Sequence, residues 1–501
     1  VTARMSGWRR VGLAGLLGAS AGFGQAPYDQ PLILMLALTL ACYLFGQAQT
    51  TRQAAVFGWA FGTGYFAHTL QWIVSPFMVD VARHGWMAPF ALLFLAAGLA
   101  LFWGGAFWLA RWLERRGAWA LILSLPAAEL VRGYLFTGFP WGLLSQSLVD
   151  SAGGQALSWI GPYGLTLLMV AVAVALNVRA TTWVSRTLRF GAVLLGLGAV
   201  VLPVFRPVAV LTDHSVRLIQ PNAAQRDKWN PDHIPVFFDR QLTYSAAPPA
   251  AEGAVPDLIL WSETAIPWLL DRAGSSLNEI AKAGGNATVA LGVQRRDDSA
   301  YYNSMVVLEQ GGEVAQIYDK HHLVPFGEYM PFSDVFARIG VFGLAQRARG
   351  GYASGSGAKV LDFGEMGRAL PLICYEAVFA QDVNAAPERP DFLIQITNDA
   401  WFGKAAGPRQ HLAQARMRAI EQGLPLARSA NTGISAMIDP YGRLLASLPL
   451  NTAGYVDAPL PAPLSPTVYS RTGDLPFVFV LLAGLACAGF RRQQRQQRVK
   501  N

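Results

Sequence analysis

At 501 residues the chain is longer than one ordinary domain, and length alone suggests two to four. Hydrophobic residues make up 52% and charged residues only 14%, which argues against a wholly soluble chain and for membrane spans. The net charge of +8 sits mostly in short Lys/Arg clusters beside apolar runs rather than on one basic face, so membrane orientation is expected and a nucleic-acid partner is not.

Trp8-Arg9-Arg10 precedes a Gly-rich apolar run from Val11 to about Ala26. A basic start and an apolar core also fit a signal peptide. More apolar runs follow at once, so the segment is read as a first span that the protein keeps. Further runs lie at roughly 32–48, 54–76, 86–110, 118–136, 157–178 and 188–205, most of them near the ~20 residues that a span needs. An eighth, shorter run at roughly 476–490 follows a long polar segment.

Charge between the runs orients them. Arg9-Arg10, Arg52, Arg111 to Arg116, Arg179, Arg186, Arg189 and the basic tail Arg491 to Lys500 all fall on alternate connections. The connections Ala26–Pro31, Ser75–Gly85 and Thr137–Gln155 carry almost no positive charge. The positive-inside rule then puts both termini in the cytoplasm and residues ~206–474 on the opposite face. The expected organisation is a seven-helix membrane domain over 1–205, one external domain over 206–474, and a last span with its tail over 475–501.

The external segment alternates strand and helix patterns, which points to a layered α/β domain. Strands are expected at Val216–Gln220, Asp257–Glu263, Thr288–Val293, Met305–Glu309, Val314–Tyr318, Leu370–Cys374, Phe392–Thr397 and Ser435–Asp439. Helices are expected at His233–Ser245, Ser275–Ala283 and His411–Gln422. The greasy stretch from Pro331 to Leu344 is expected either to be buried or to form a lid against the bilayer.

Three strand ends carry the chemistry. Leu370-Pro371-Leu372-Ile373 runs into Cys374, Leu258-Ile259-Leu260-Trp261-Ser262 into Glu263, and Val314 to Asp319 into Lys320. Cys42 and Cys487 lie in apolar runs, so Cys374 is the one cysteine of the polar segment. With no CxxC and no His/Cys cluster, neither a metal nor another cofactor is expected. A thiol attacks carbonyls as thiolate, with a carboxylate to take the proton and a cation to meet the oxyanion. Glu263, Lys320 and Cys374 supply these three types. Taken singly, each also reads as an ordinary surface or core residue, and spacing alone does not bring them together.

These strand ends, Trp261-Ser262-Glu263-Thr264, Tyr318-Asp319-Lys320-His321-His322-Leu323-Val324-Pro325-Phe326-Gly327-Glu328-Tyr329 and Ile373-Cys374-Tyr375-Glu376, resemble the Glu-Lys-Cys triad of the nitrilase superfamily. Together with the apolar runs they resemble the membrane-embedded apolipoprotein N-acyltransferase family. Glu129-Leu130-Val131-Arg132-Gly133, Thr137 to Gly142, Gln220-Pro221-Asn222 with Lys228-Trp229, Thr397 to Phe402 and Asn431 to Ser435 match that family too. The resemblance implies an αββα sandwich on the periplasmic face of a bacterial inner-membrane protein of about eight spans. It also implies a ping-pong reaction. Cys374 would take an acyl chain from a phospholipid and pass it to the α-amine of a diacylglyceryl-cysteine lipoprotein, with Glu263 as base and Lys320 at the oxyanion. Glu328, Tyr375, Glu376 and Trp229 would support the site. Asn303, in Tyr302-Asn303-Ser304, either bonds near that site or holds a turn.

Other polar groups read more plainly. His321-His322 suggests a metal pair, but neighbours on a strand point to opposite faces. Glu129 and Arg132, three apart on a helix, are expected to pair with each other, with a headgroup contact as the sharper reading. Phe139-Pro140-Trp141 fits an interfacial aromatic anchor, and Trp401 fits packing or a lid contact better than chemistry. Two other functions fit parts of the sequence. A membrane-anchored amidase shares the triad but needs only one span, and a transporter or lipid sensor predicts more charges within the spans.

Overall fold

The computed structural model describes residues 7–179, 181–202, 206–250, 255–298, 300–331 and 351–500. The chain divides into two compact units, Val1–Arg206 with Ala405–Ala413 and Pro466–Asn501, and Pro207–Lys404 with Gln414–Ser465.

The first unit is helical. Each of the eight apolar runs carries one main helix: α1 Gly7–Gly22, α2 Pro31–Gly46, α3 Thr51–Thr69, α4 Ala88–Leu113, α5 Leu121–Tyr134, α6 Leu157–Leu176, α7 Trp183–Val201 and, after the second unit, α11 Leu475–Lys500. Among the described residues, four segments are long and apolar enough to cross a membrane: Val81–Leu113, Ala152–Leu176, Trp183–Val201 and Leu475–Arg498. Starts are set locally. Pro31 opens α2, where its missing N–H costs nothing, and the Thr50 hydroxyl accepts from Gln53 N to cap α3. The Gly-rich character of the first run has a packing reason. A Cβ on Gly18 would lie 1.9 Å from Phe61 O, and one on Gly64 would lie 2.0 Å from Gly15 O. Glycines at these positions let the backbones of α1 and α3 touch, as close helix pairs in lipid require.

Glu129 and Arg132 pair on α5, fully buried, with Arg132 Nη2 2.7 Å from Glu129 Oε2. Trp103 Nε1 donates to Glu129 Oε1 at 2.6 Å, and Arg132 Nη1 donates to the carbonyls of Phe139 and Trp141. The ion-pair reading therefore holds. The anchor reading of Trp141 does not: its ring is completely buried against Trp72, and its indole N–H donates to Gln410 Oε1 at 2.8 Å. A buried indole needs an acceptor, and here the protein supplies it.

The second unit is a sandwich of two six-stranded sheets. The strands are β1 Leu211–Gln220, β2 Leu258–Leu260, β3 Thr288–Asp297, β4 Ala300–Leu308, β5 Val314–Asp319, β6 Leu361–Asp362, β7 Arg368–Ile373, β8 Phe392–Thr397, β9 Leu426–Ala430, β10 Ser435–Ile438, β11 Leu444–Leu448 and β12 Gly454–Pro461. Their orders are β12-β1-β2-β3-β4-β5 and β11-β10-β9-β8-β7-β6. All eight expected strands exist, β8 with the expected bounds and the others with shifted ends, and β6, β9, β11 and β12 are additional. The two sheets bond across the middle, where Ser429 Oγ donates to Ile219 O at 2.8 Å and Ser435 Oγ to Gln220 Oε1 at 2.7 Å.

Helices α8 Ile234–Ser245 and α9 Gly274–Gly284 cover the first sheet. Phe238, Leu277 and Ile280 pack there on Ile259, Val289 and Leu291. Helix α10 runs Ala406–Gln422, five residues longer at its start than expected. Its later turns belong to this unit, and Arg418 donates there to Val378 O at 2.8 Å. The stretch from Phe332 to Leu344 lies outside the described residues.

Candidate active site

Strands β1, β2 and β3 run parallel, as do β7, β8 and β9, and β5, antiparallel to β4, runs the same way as β3. Their carboxyl ends therefore gather, which is where open α/β sheets build sites. Glu263 lies three residues past β2, Lys320 one past β5, and Cys374 one past β7. Strand β2 ends earlier than expected because the chain turns at Thr264, whose φ is +46°. Gly292 on β3 makes room for that turn, since a Cβ there would lie 2.6 Å from Glu263 Cα.

The structure brings the three together with Asn303 and Glu328. Lys320 is 1% exposed, and its Nζ lies 2.9 Å from Glu328 and 3.7 Å from Glu263 Oε1. Asn303 Nδ2 donates to Glu263 Oε1 at 2.7 Å and to Glu328 Oε1 at 3.0 Å. Asn303 therefore sits on a strand bridging both carboxylates, and it holds no turn. The Asn398 backbone N–H fixes the other Glu263 oxygen at 2.7 Å, so the carboxylate is oriented from two sides. Burial works against the Lys320 ammonium, but Glu328, Glu263 and Cys374 outweigh it and raise its pKa above the usual lysine value.

Cys374 opens a 3-10 turn rather than ending the strand, and its φ is +52°. A non-glycine residue held there costs about 1–3 kcal/mol and persists only where its surroundings over-determine it. Glu376 does much of this holding. Its Oε2 accepts from Ile373 N at 2.7 Å, and its Oε1 accepts from His321 N, from the Tyr318 hydroxyl and, at 3.3 Å, from His322 N. Burial pushes the Cys374 thiol well above its usual pKa, and Glu263 and Asp399 add to this. Lys320 and a hydrogen bond with Thr397 oppose it. Such a thiol needs a base at the moment of attack, and Glu263 is the carboxylate that Asn303 and Asn398 hold in its field.

The other expected residues fall nearby or apart. Tyr375 is buried and packs edge-on against Phe379 and His322. Trp229 is half-buried in a small cavity with Phe237, Phe238 and Gln241, its ring 5.3 Å from Lys228 Nζ. Lys228 is itself buried and donates to Glu263 O and Thr264 Oγ1, both at 3.0 Å. Burial lowers its pKa to about 8, with Glu263 opposing. Its place beside Trp229 was legible, but its burial was not. His321 and His322 lie past the end of β5, where strand alternation no longer applies, and both face Asp382, at 3.8 Å and 2.7 Å. His321 Nδ1 also lies 2.8 Å from Glu376 Oε1. Asn398 escaped the residue-level reading because it acts through its backbone. The Thr397-Asn398-Asp399 run at a strand end was the available signal.

Comparison with known proteins agrees with both units. Residues 217–465 match the model of the carbon-nitrogen hydrolase family, and residues 17–175 match that of the apolipoprotein N-acyltransferase N-terminal domain. The apolipoprotein N-acyltransferase of Rhodopseudomonas palustris is 37% identical over 498 residues, covering 94% of this chain and 93% of its own. That of Bradyrhizobium diazoefficiens is 38% identical over 514 residues, covering 97% and 96%. Among solved structures, an amidase from Nesterenkonia sp. AN1 is similar over 50% of this chain and 93% of its own, at 19% identity and a TM-score of 0.36. Over nearly its whole length, the chain belongs to the apolipoprotein N-acyltransferase family.

Proposed function

We propose that this membrane enzyme transfers an acyl chain from a phospholipid, through a thioester on Cys374, to the α-amine of a diacylglyceryl-cysteine at a lipoprotein's N-terminus. One observation carries the thioester reading: Glu263, Lys320 and a strained Cys374 gather at one end of the sandwich. In the first half-reaction Glu263 takes the thiol proton as sulfur attacks the ester carbonyl carbon. The Lys320 ammonium meets the developing oxyanion. The C–O bond breaks, and the proton on Glu263 leaves with the lysophospholipid alcohol. In the second half-reaction Glu263 deprotonates the incoming ammonium, because a protonated amine has no lone pair to attack with. Nitrogen attacks the thioester, and Glu263 returns its proton to the sulfur as the C–S bond breaks. It then takes the second nitrogen proton and releases it to water, which leaves the amide and the restored thiol. Glu328 and Asn303 orient Lys320 and Glu263, Glu376 fixes the turn that carries Cys374, and Tyr375 and Trp229 line the approach of substrate. No cofactor is invoked.

The membrane arrangement belongs to the same proposal. About eight spans, both termini in the cytoplasm of a bacterial inner membrane and a periplasmic catalytic domain over 206–474 fit the eight helices and the basic connections. A domain division at 1–205, 206–474 and 475–501 goes with it. The test is transfer of a radiolabelled acyl chain from phospholipid vesicles to a diacylglyceryl-cysteine peptide. The wild-type chain is expected to label the peptide, and Cys374→Ala to leave it unlabelled. Transfer by Cys374→Ala at the wild-type rate would rule out the thioester.

A further inference from the structure

Arg428 sits in the middle of β9, fully buried, where a charge persists only with its donors satisfied. Its Nε donates to Ile434 O at 3.1 Å, Nη1 to Gln395 Oε1, and Nη2 to Asp399 Oδ2 at 2.6 Å. Both side-chain acceptors go on to the turn at Cys374. Gln395 Nε2 donates to the Cys374 carbonyl at 3.2 Å. Asp399 Oδ1 accepts the Thr397 hydroxyl at 2.9 Å, and Thr397 is in turn hydrogen-bonded with the Cys374 thiol. The Thr397 side chain therefore links Asp399 to the sulfur, and Asp399 sets where its hydroxyl lies.

We propose that Arg428 is a positioning residue for Cys374, acting on its carbonyl through Gln395 and on its thiol through Asp399 and Thr397. The proposal rests on Cys374 being the acylated nucleophile. It also has an electrostatic side. The charges that face Cys374 are Glu263, Lys320 and Asp399, with Glu328 behind Lys320 and Arg428 behind Asp399. Glu263 has the Lys320 ammonium at 3.7 Å, and Asp399 has the Arg428 guanidinium at 2.6 Å. Removing Arg428 takes a cation away from the Asp399 carboxylate that faces the thiol and disfavours the thiolate, whereas a change in β9 that only loosened packing leaves the thiol's acidity alone.

The experiment uses the full chain in detergent with Cys42 and Cys487 replaced by Ala, so that iodoacetamide reports only Cys374. Alkylation is followed against pH, alongside thermal unfolding and the rate and phospholipid KM of acyl-enzyme formation. Arg428→Met is expected to slow alkylation at pH 8 by about tenfold, the thiolate loss for a pKa one unit higher. Adding Asp399→Asn to it is expected to restore the rate. Arg428→Lys keeps the charge but lacks the planar fork that reaches Asp399 and Gln395 together. It is expected to keep the alkylation profile while acylating about tenfold more slowly at unchanged KM, and Gln395→Met is expected to behave the same way. Should Arg428→Met fail to fold, Arg428→Lys and Gln395→Met decide the matter, and wild-type acylation in both overturns the proposal. A lowered unfolding temperature in Arg428→Met with an unmoved alkylation profile also overturns it. Absence of any acyl adduct on the parent's Cys374 overturns the thioester reading, and this proposal with it. Normal acylation of the parent with unaffected variants overturns this proposal alone.

Discussion

Glu376→Gln isolates how the turn at Cys374 is held. The carboxylate is fully buried and accepts from Ile373 N on one oxygen and from His321 N, His322 N and the Tyr318 hydroxyl on the other, which also has His321 Nδ1 at 2.8 Å. An amide has one acceptor oxygen and one NH2 group. With its oxygen toward His321, the NH2 opposes Ile373 N–H, and with its oxygen toward Ile373, it opposes the other three donors. At least one charge-assisted bond, about 1.5–3 kcal/mol, is lost and a buried donor is left bare. Adding the lost attraction to His321, the change amounts to about 3–5 kcal/mol, in the range for breaking a buried pair. At about 2–4 °C per kcal/mol for a unit of this size, the unfolding temperature should fall by about 6–20 °C in calorimetry of the detergent-solubilised protein. Ile373 directly precedes Cys374, so acyl-enzyme formation well below the transition should fall at least tenfold. A shift under about 2 °C with normal acylation would refute this account of the turn.

Other consequences can be checked in parallel. Lys320→Met removes the cation proposed to meet the oxyanion, and acyl-enzyme formation followed by quench and mass spectrometry should slow by about 10²–10³-fold. The His321–Glu376 pair sets a pH window. At His321 burial opposes the charged form but Glu376 and Asp382 outweigh it and raise the pKa, so its contribution is full below the unfolded value near ~6.5 and is lost as pH rises through the folded value. At Glu376 burial is outweighed by His321, the Ile373 N–H and Lys320, so the pKa is lowered. Its contribution is full above the unfolded value near ~4.3 and is lost as pH falls through the folded value. Unfolding temperatures should therefore peak between about pH 4.5 and 6.5 through this pair, and His321→Asn should lose the decline on the alkaline side. In the helical unit, Glu129→Gln leaves Arg132 buried with the carboxylate charge that pairs it gone. It should cost about 3–5 kcal/mol, read as loss of folded protein on heating in detergent.

Hydrophobic runs and strand ends carried most of what the sequence revealed. Every apolar run became a helix, because a segment with few charges satisfies its backbone most readily as a helix. Glu263, Lys320 and Cys374 stood out because each interrupts an apolar strand. Strand β12 was hidden by Pro459, Pro461 and Asp457, residues that suit the outer strand of its sheet, and β9 was hidden by Arg428 within a five-residue strand. Trp141 read as an interfacial ring because its acceptor, Gln410, lies 269 residues further along the chain. Asn303 stayed ambiguous for the same reason, since its two carboxylates, Glu263 and Glu328, lie 40 and 25 residues away along the chain. What periodicity records is which face is apolar. Which polar atoms meet depends on the stagger of twelve strands, and no local pattern encodes that.

The most direct test of the central claim is intact-mass analysis of the purified chain in single turnover, first with phospholipid alone and then with a diacylglyceryl-cysteine peptide. The account predicts one added acyl mass on Cys374 that persists until peptide is supplied and then leaves as the peptide gains one acyl chain. An adduct shed to water at the same rate with or without peptide, or peptide acylation with no mass ever added to Cys374, would contradict it.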